Sequence, residues 1–167
     1  MRDLLTKGEP CYAYFDRNLE SVRTALQDLL DYIVNNGPYD GVLGFSEGAA
    51  FAASLIAQQT RRQDHSSSPI FKFAIFLCSA PAVDVEKTLR VFDASVDGEI
   101  IHMPTAHIIG AQDEIVHISI EVSKICDRRT REVFLFPGGH EVPRNPGTVS
   151  EIASCINRVL YTATNAQ

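Results

Sequence analysis

The sequence predicts an α/β fold with a mainly parallel sheet flanked by helices. Two patterns carry this reading. A helical segment is followed by four repeats of a short apolar run and a segment with apolar residues at helical spacing, the order that builds parallel sheets. The apolar runs are continuous rather than alternating, as strands buried on both faces are.

The elements follow in order. Over residues 18–36, Leu19, Val22, Leu26, Leu29, Leu30 and Ile33 recur at helical spacing. Asn18 is the expected N-cap, and Gly37-Pro38 ends the helix. Residues 41–45 form a short apolar strand, and residues 47–59 a helix. Residues 61–69 are polar and unpatterned, a surface loop too short to link domains. The run 70–77, broken only by Lys72, reads as a buried strand. Residues 79–98 give a weak signal that fits short helix or loop. A strand is expected over 105–109, a helix over 115–126 and a strand over 131–136. The last helix is expected over 148–161, started by the capping box Thr148-Val149-Ser150-Glu151.

Length and composition bound the function. At 167 residues the chain is expected to be a single domain, with residues 1–17 as an extended arm or edge strand. Its net charge of −6 argues against nucleic acid or an acidic membrane as partner. The absence of a membrane-length apolar run or signal-peptide pattern makes a cytoplasmic protein the expectation. The four cysteines, Cys11, Cys78, Cys126 and Cys155, have no C-x-x-C spacing, so a zinc knuckle is not expected. All four are read as structural; Cys126 is expected to be partly exposed, and Cys78 is the one nearest a candidate site.

That site begins with Gly44-Phe45-Ser46-Glu47-Gly48, the G-x-S-x-G pattern of a nucleophile elbow, set between an expected strand and an expected helix. A serine hydroxyl attacks only when a base takes its proton, and that base needs a carboxylate to hold its tautomer. Asp113 follows the 105–109 strand and His140 follows the 131–136 strand. The order Ser46, Asp113, His140 is the order of α/β hydrolytic triads, and all three fall at the carboxyl ends of strands, where such sheets bind ligands. Asp113 also fits an ordinary N-cap, and Glu114 is a rival acid further from the strand end. His65, His102, His107 and His117 read as solvated, structural or capping residues. No histidine pair has metal-ligand spacing, so neither metal nor cofactor is expected.

The segments 37–50, Phe76-Leu77-Cys78-Ser79-Ala80-Pro81 and Gly138-Gly139-His140-Glu141-Val142-Pro143 resemble the FSH1-type serine hydrolases. These are small α/β-hydrolases that include fungal thioesterases and hydrolases of polyketide pathways. The resemblance implies cleavage of a small ester or acyl thioester, free or carrier-bound, by Ser46, His140 and Asp113. Glu47 stands where many family members have glutamine, and its backbone N–H is implied as one oxyanion donor. Family members usually begin with a strand, a His-Gly-type loop, a helix and a second strand. The sequence enters just upstream of the helix preceding the elbow strand. The strand at 41–45 is therefore expected to form an open sheet edge, covered by residues 11–15 or by a second copy in a homodimer. Two further readings stand beside hydrolysis: a shortened family member that binds, cyclises or isomerises a polyketide-like molecule, and a plain interaction domain. The walls of the substrate pocket are expected from residues 81–103 and the N-terminal region, with Phe45 and Phe92 as core or pocket aromatics.

Overall fold

The structure is a computed structural model that describes residues 15–16, 18–62, 69–86 and 88–165. The first helix, α1 (Leu19–Asn36), starts where the Asn18 side chain accepts the Ser21 N–H at 2.9 Å. It buries Val22, Leu26 and Ile33 and ends where the Gly37 N–H donates to the Ile33 carbonyl.

Four strands form the sheet: β1 (Gly41–Phe45), β2 (Phe73–Leu77), β5 (Thr105–Gly110) and β6 (Arg131–Phe136). They pair in the order β1-β2-β5-β6, all parallel. The helices α2 (Glu47–Arg62), α4 (Val116–Lys124) and α5 (Pro146–Asn165) complete the repeats.

Successive side chains of β2 serve opposite faces, as the strand period of two requires. Ala74 and Phe76 join a core with Leu26, Ala53, Ile56, Ile101, Val122 and Ile125. Ile75 and Leu77 join a second core with Ala106, Ile108, Phe136, Cys155 and Val159, roofed by α5. All six residues of β5 are buried, and burying one such Val, Leu, Ile or Phe side chain contributes about 1.5–3 kcal/mol. Alanines 49, 52, 53 and 57 face the core from α2. Their small side chains let this helix lie close against the sheet, which fixes the turn that precedes it.

Several sequence expectations change at element ends. The strand expected from residue 70 starts at Phe73, opposite Gly41. Upstream of Gly41 the described residues offer no partner strand, and Lys72 instead bonds Asp40 through both its backbone N–H and its ammonium. The last helix begins at Pro146, not at Thr148. Asn145 caps it by accepting the Gly147 N–H at 2.9 Å, and proline suits the first helical position because it has no N–H to satisfy. The capping box at Thr148–Glu151 therefore lies inside the helix. Cys126 is fully buried rather than partly exposed, and its apolar surroundings push the thiol up to about 12.

The weakly patterned stretch after β2 holds a small antiparallel pair, β3 (Val83–Asp84) with β4 (Arg90–Val91), and a single turn, α3 (Ala94–Asp97). Arg61 of α2 reaches Asp84 at 2.7 Å and Asp97 at 2.5 Å, and Arg90 bonds both aspartates too. The bond from Arg90 holds the Asp97 carboxyl well below the usual carboxylate range. Phe92 lies in the core beneath both guanidinium groups. Charge pairing thus ties this segment to α2, away from the elbow.

Among the described residues β1 pairs on one side only, and Leu43 is exposed. The arm expected at residues 1–17 lies outside the described residues except for Phe15 and Asp16; Phe15 stacks on Phe51 at 5.2 Å.

Candidate active site

The turn between β1 and α2 presents Ser46 with φ of 54°, in the left-handed region. A serine there costs about 1–3 kcal/mol of local strain, and surrounding bonds hold it. Its N–H donates to the Leu77 carbonyl at 2.9 Å, and its carbonyl accepts from Ala80 and Ala50. Gly44 makes the sharp return possible: a Cβ there would stand 2.5 Å from the Ala49 backbone.

Asp113 enters from the turn after β5. Its Oδ1 accepts the Ile115 N–H at 2.9 Å, a bond within the turn before α4; the N-cap of that helix is Ile115, not Asp113. Its Oδ2 faces His140 Nδ1 at 2.8 Å. One buried carboxylate thus serves both the local turn and the imidazole, and the side chain is almost wholly enclosed. Glu114 is exposed, so the rival acid points elsewhere.

His140 comes from the loop after β6. This loop is pinned to the Asp113 turn by the Gln112 N–H, which donates to the Gly138 carbonyl at 2.8 Å. Gly110 permits the approach, because a Cβ at its position would overlap the Gly139 carbonyl oxygen. The imidazole rests against the Phe45 ring, centroids 5.1 Å apart. Its Nε2 lies 2.7 Å from Ser46 Oγ.

These contacts settle the tautomer by elimination. A carboxylate accepts and does not donate, so the proton between His140 and Asp113 belongs on Nδ1. Nε2 is then a bare acceptor aimed at the Ser46 hydroxyl. This is the arrangement that lets an imidazole take the proton of an attacking serine. Glu47 supplies the first N–H of α2 beside Ser46. The opening N–H groups of a helix have no acceptor within it and favour developing negative charge.

The structure brings together Ser46, Asp113 and His140, three residues on three strand ends. It also shows two neighbours whose contacts the sequence did not reveal. Phe45 packs on the imidazole, a consequence of its place at the end of β1. Cys78, in a turn with φ of 42°, turns its thiol toward the His140 loop, 3.9 Å from the Gly139 and Glu141 carbonyl oxygens. Burial pushes that thiol up from its ordinary value. Ligand atoms of Cys78, Asp113 and His140 lie within 4.8 Å of one another. Of the other histidines, His102 and His117 are exposed, His107 is buried in β5, and His65 lies outside the described residues.

A groove of about 460 Å³ flanks the elbow on the β1 side, lined by Phe15, Leu29, Val42, Leu43, Gly48 and Phe51 among others. The expectation that residues 81–103 form the pocket wall does not hold for this groove. Its walls come from α1, β1 and α2, while residues 83–97 are tied to the far end of α2 at Arg61.

The serine hydrolase (FSH1) family model matches residues 6–152, which include all three side chains. The chain belongs to the FSH1 family of serine hydrolases. Esterase FPY3 of Fusarium mangiferae is 38% identical over 92% of this chain and 72% of its own length. Esterase OVCA2 of Danio rerio is 31% identical over 77% of this chain and 50% of its own. The chain therefore spans between half and three quarters of these two relatives. Among solved structures, acyl-protein thioesterase 2 of Zea mays superposes with a TM-score of 0.57 at 17% identity, covering 92% of this chain and 75% of that one. That likeness places the fold among the α/β-hydrolases. No helix among the described residues is long and apolar enough to cross a membrane.

Proposed function

We propose that this family member cleaves a small ester or acyl thioester through an acyl-enzyme on Ser46. The observation that carries the reading is the unbroken bond sequence from Ser46 Oγ to His140 Nε2 at 2.7 Å and from His140 Nδ1 to Asp113 Oδ2 at 2.8 Å. Ser46 Oγ attacks the acyl carbonyl while its proton passes to Nε2. Asp113 stabilises the imidazolium that results. The Glu47 N–H takes part of the charge on the tetrahedral oxygen. Collapse expels the alcohol or thiol, which leaves with the proton from Nε2. Water then repeats the sequence in reverse roles and frees the acid. The apolar groove beside Gly48 suits the acyl portion. The resemblance of the triad segments to hydrolases of fungal polyketide pathways is the ground for a place in that metabolism, and the likeness to a fungal esterase supports ester cleavage.

A fluorophosphonate probe tests the reading. Labelling of the folded protein at Ser46, lost in Ser46→Ala, is the expected result; an unlabelled folded protein overturns it. The rival reading, a family member that binds, cyclises or isomerises a polyketide-like molecule, draws on one observation. Glu47 opens α2 and so places one backbone N–H beside Ser46, and a hole with one donor in place of two costs about 10²–10³ in rate. Activity that survives Ser46→Ala but disappears in His140→Ala would favour it.

A further inference from the structure

A thiol, a carboxylate and an imidazole converge behind the nucleophile, where spacing along the chain gives no hint of a cluster. Cys78 arrives from the end of β2, Asp113 from the end of β5 and His140 from the loop after β6. One ligand atom from each lies within 4.8 Å of the other two. Sulfur, oxygen and nitrogen donors are the set that zinc takes, at bond lengths of about 2.0–2.3 Å. Tetrahedral bonds of that length set donors about 3.3–3.8 Å apart. The His140 and Asp113 donors, now 2.8 Å apart, need to separate by about half an ångström or more. The His140 side chain is 30% exposed and carried on a loop, so it has room to turn and a route for an ion to enter.

We propose that Cys78 Sγ, Asp113 Oδ2 and His140 Nδ1 form an inhibitory site for a thiophilic divalent cation of the Zn²⁺ type, with water as the fourth ligand. The active-site geometry gives such a site a direct effect. Binding needs the lone pair of Nδ1, so the ring proton moves to Nε2. Nε2 then donates instead of accepting, and the Ser46 hydroxyl loses its base. The thiol gives up its proton to solvent, one proton per ion bound, and no oxidation or reduction occurs. The same ion occupies the Asp113 oxygen that orients His140. Without the ion, the hydrogen-bonded sequence through His140 stands undisturbed.

The inhibitory effect rests on the hydrolase reading; the binding itself does not, and the test separates them. Metal-stripped protein is assayed on an aryl ester with and without micromolar Zn²⁺, each variant being compared with its own metal-free rate. The wild type should slow at least tenfold and recover with chelator, while Cys78→Ser and Cys78→Ala keep a ratio near one. Cd²⁺ is then added to the wild type and to Cys78→Ser, followed by the ultraviolet thiolate-to-metal absorption. The other cysteines are common to both proteins, so the difference spectrum reads Cys78 alone. A band present in the wild type and absent from folded Cys78→Ser supports the site even if no ester is cleaved. Equal Zn²⁺ sensitivity in wild type and variants, or identical Cd²⁺ spectra, overturns it.

Discussion

His140 Nε2 stands 2.7 Å from Ser46 Oγ although 94 residues separate them along the chain. Two devices close that distance. The parallel register sets the ends of β1, β2, β5 and β6 on one rim, and the Gly138 carbonyl clamps the histidine loop to the Asp113 turn. The imidazole is thus oriented from both nitrogens. Asp113→Ala should therefore lower kcat/KM on an aryl ester by about 10³–10⁴-fold. Residues that act as one unit are not additive, so Ser46→Ala combined with Asp113→Ala should be no slower than Ser46→Ala alone. A double variant that loses a further hundredfold would show that Asp113 acts apart from Ser46.

The left-handed conformation of Ser46 predicts a stability effect opposite to its effect on activity. Its φ of 54° suits glycine better than any residue with a Cβ. Ser46→Gly and Ser46→Ala both remove the hydroxyl, and they differ in that Cβ. Ser46→Gly should exceed Ser46→Ala in unfolding free energy by about 1 kcal/mol, measured by urea denaturation. Alanine equal to or more stable than glycine would mean that the elbow is unstrained.

The two glycines of the motif have different work. A Cβ on Gly44 would meet the Ala49 backbone nitrogen and Cα at 2.5 Å and the Gly48 carbonyl oxygen at 2.6 Å, while one on Gly48 meets nothing within 4 Å. Gly44→Ala should destabilise the fold by about 1–3 kcal/mol. Gly48→Ala should stay within about 0.5 kcal/mol of the wild type, because it lies in the first turn of α2, facing the groove. Thermal melts of both variants decide it, and a large loss at Gly48 would show that another part of the chain seats there.

The sheet and the three site residues were legible because each depends on local pattern. Continuous apolar runs mark strands buried on both faces, and the chain order of Ser46, Asp113 and His140 follows from the order of the strand ends. What escaped depends on partners distant in sequence. The start of β2 is set by where β1 begins, so the apolar run 70–72 misleads. Asn145, three residues before Thr148, took the cap because it precedes a proline, and a capping-box pattern alone does not rank the two. Residues 79–98 carry weak periodicity because arginine–aspartate pairs as well as an apolar stripe hold them. Cys78 gave no local sign of its approach to His140, since turn geometry brings them together.

His107 sets an acid limit on stability that is independent of the active site. It lies within β5, 1% exposed, with Nε2 bonded to Thr105 Oγ1 at 3.1 Å and its ring against Phe76. Nδ1 has no hydrogen-bond partner among the described residues. Burial first, and the charge of Arg131 second, hold its pKa down to about 3. In the unfolded chain the same group titrates near about 6.5. Between those values the unfolded chain binds a proton that the folded chain refuses, so stability is full above about pH 6.5 and declines as pH falls toward 3. The loss is at most about 1.4 kcal/mol per pH unit. Carboxylates stabilised by partners, such as Asp127 held at about 2 by Arg129, lose their contribution only below about pH 4. The window from pH 6.5 to 4.5 therefore isolates histidine. Urea denaturation across it should give His107→Gln a shallower decline than the wild type, by about one proton, and parallel declines would show that His107 is protonated alike in both states.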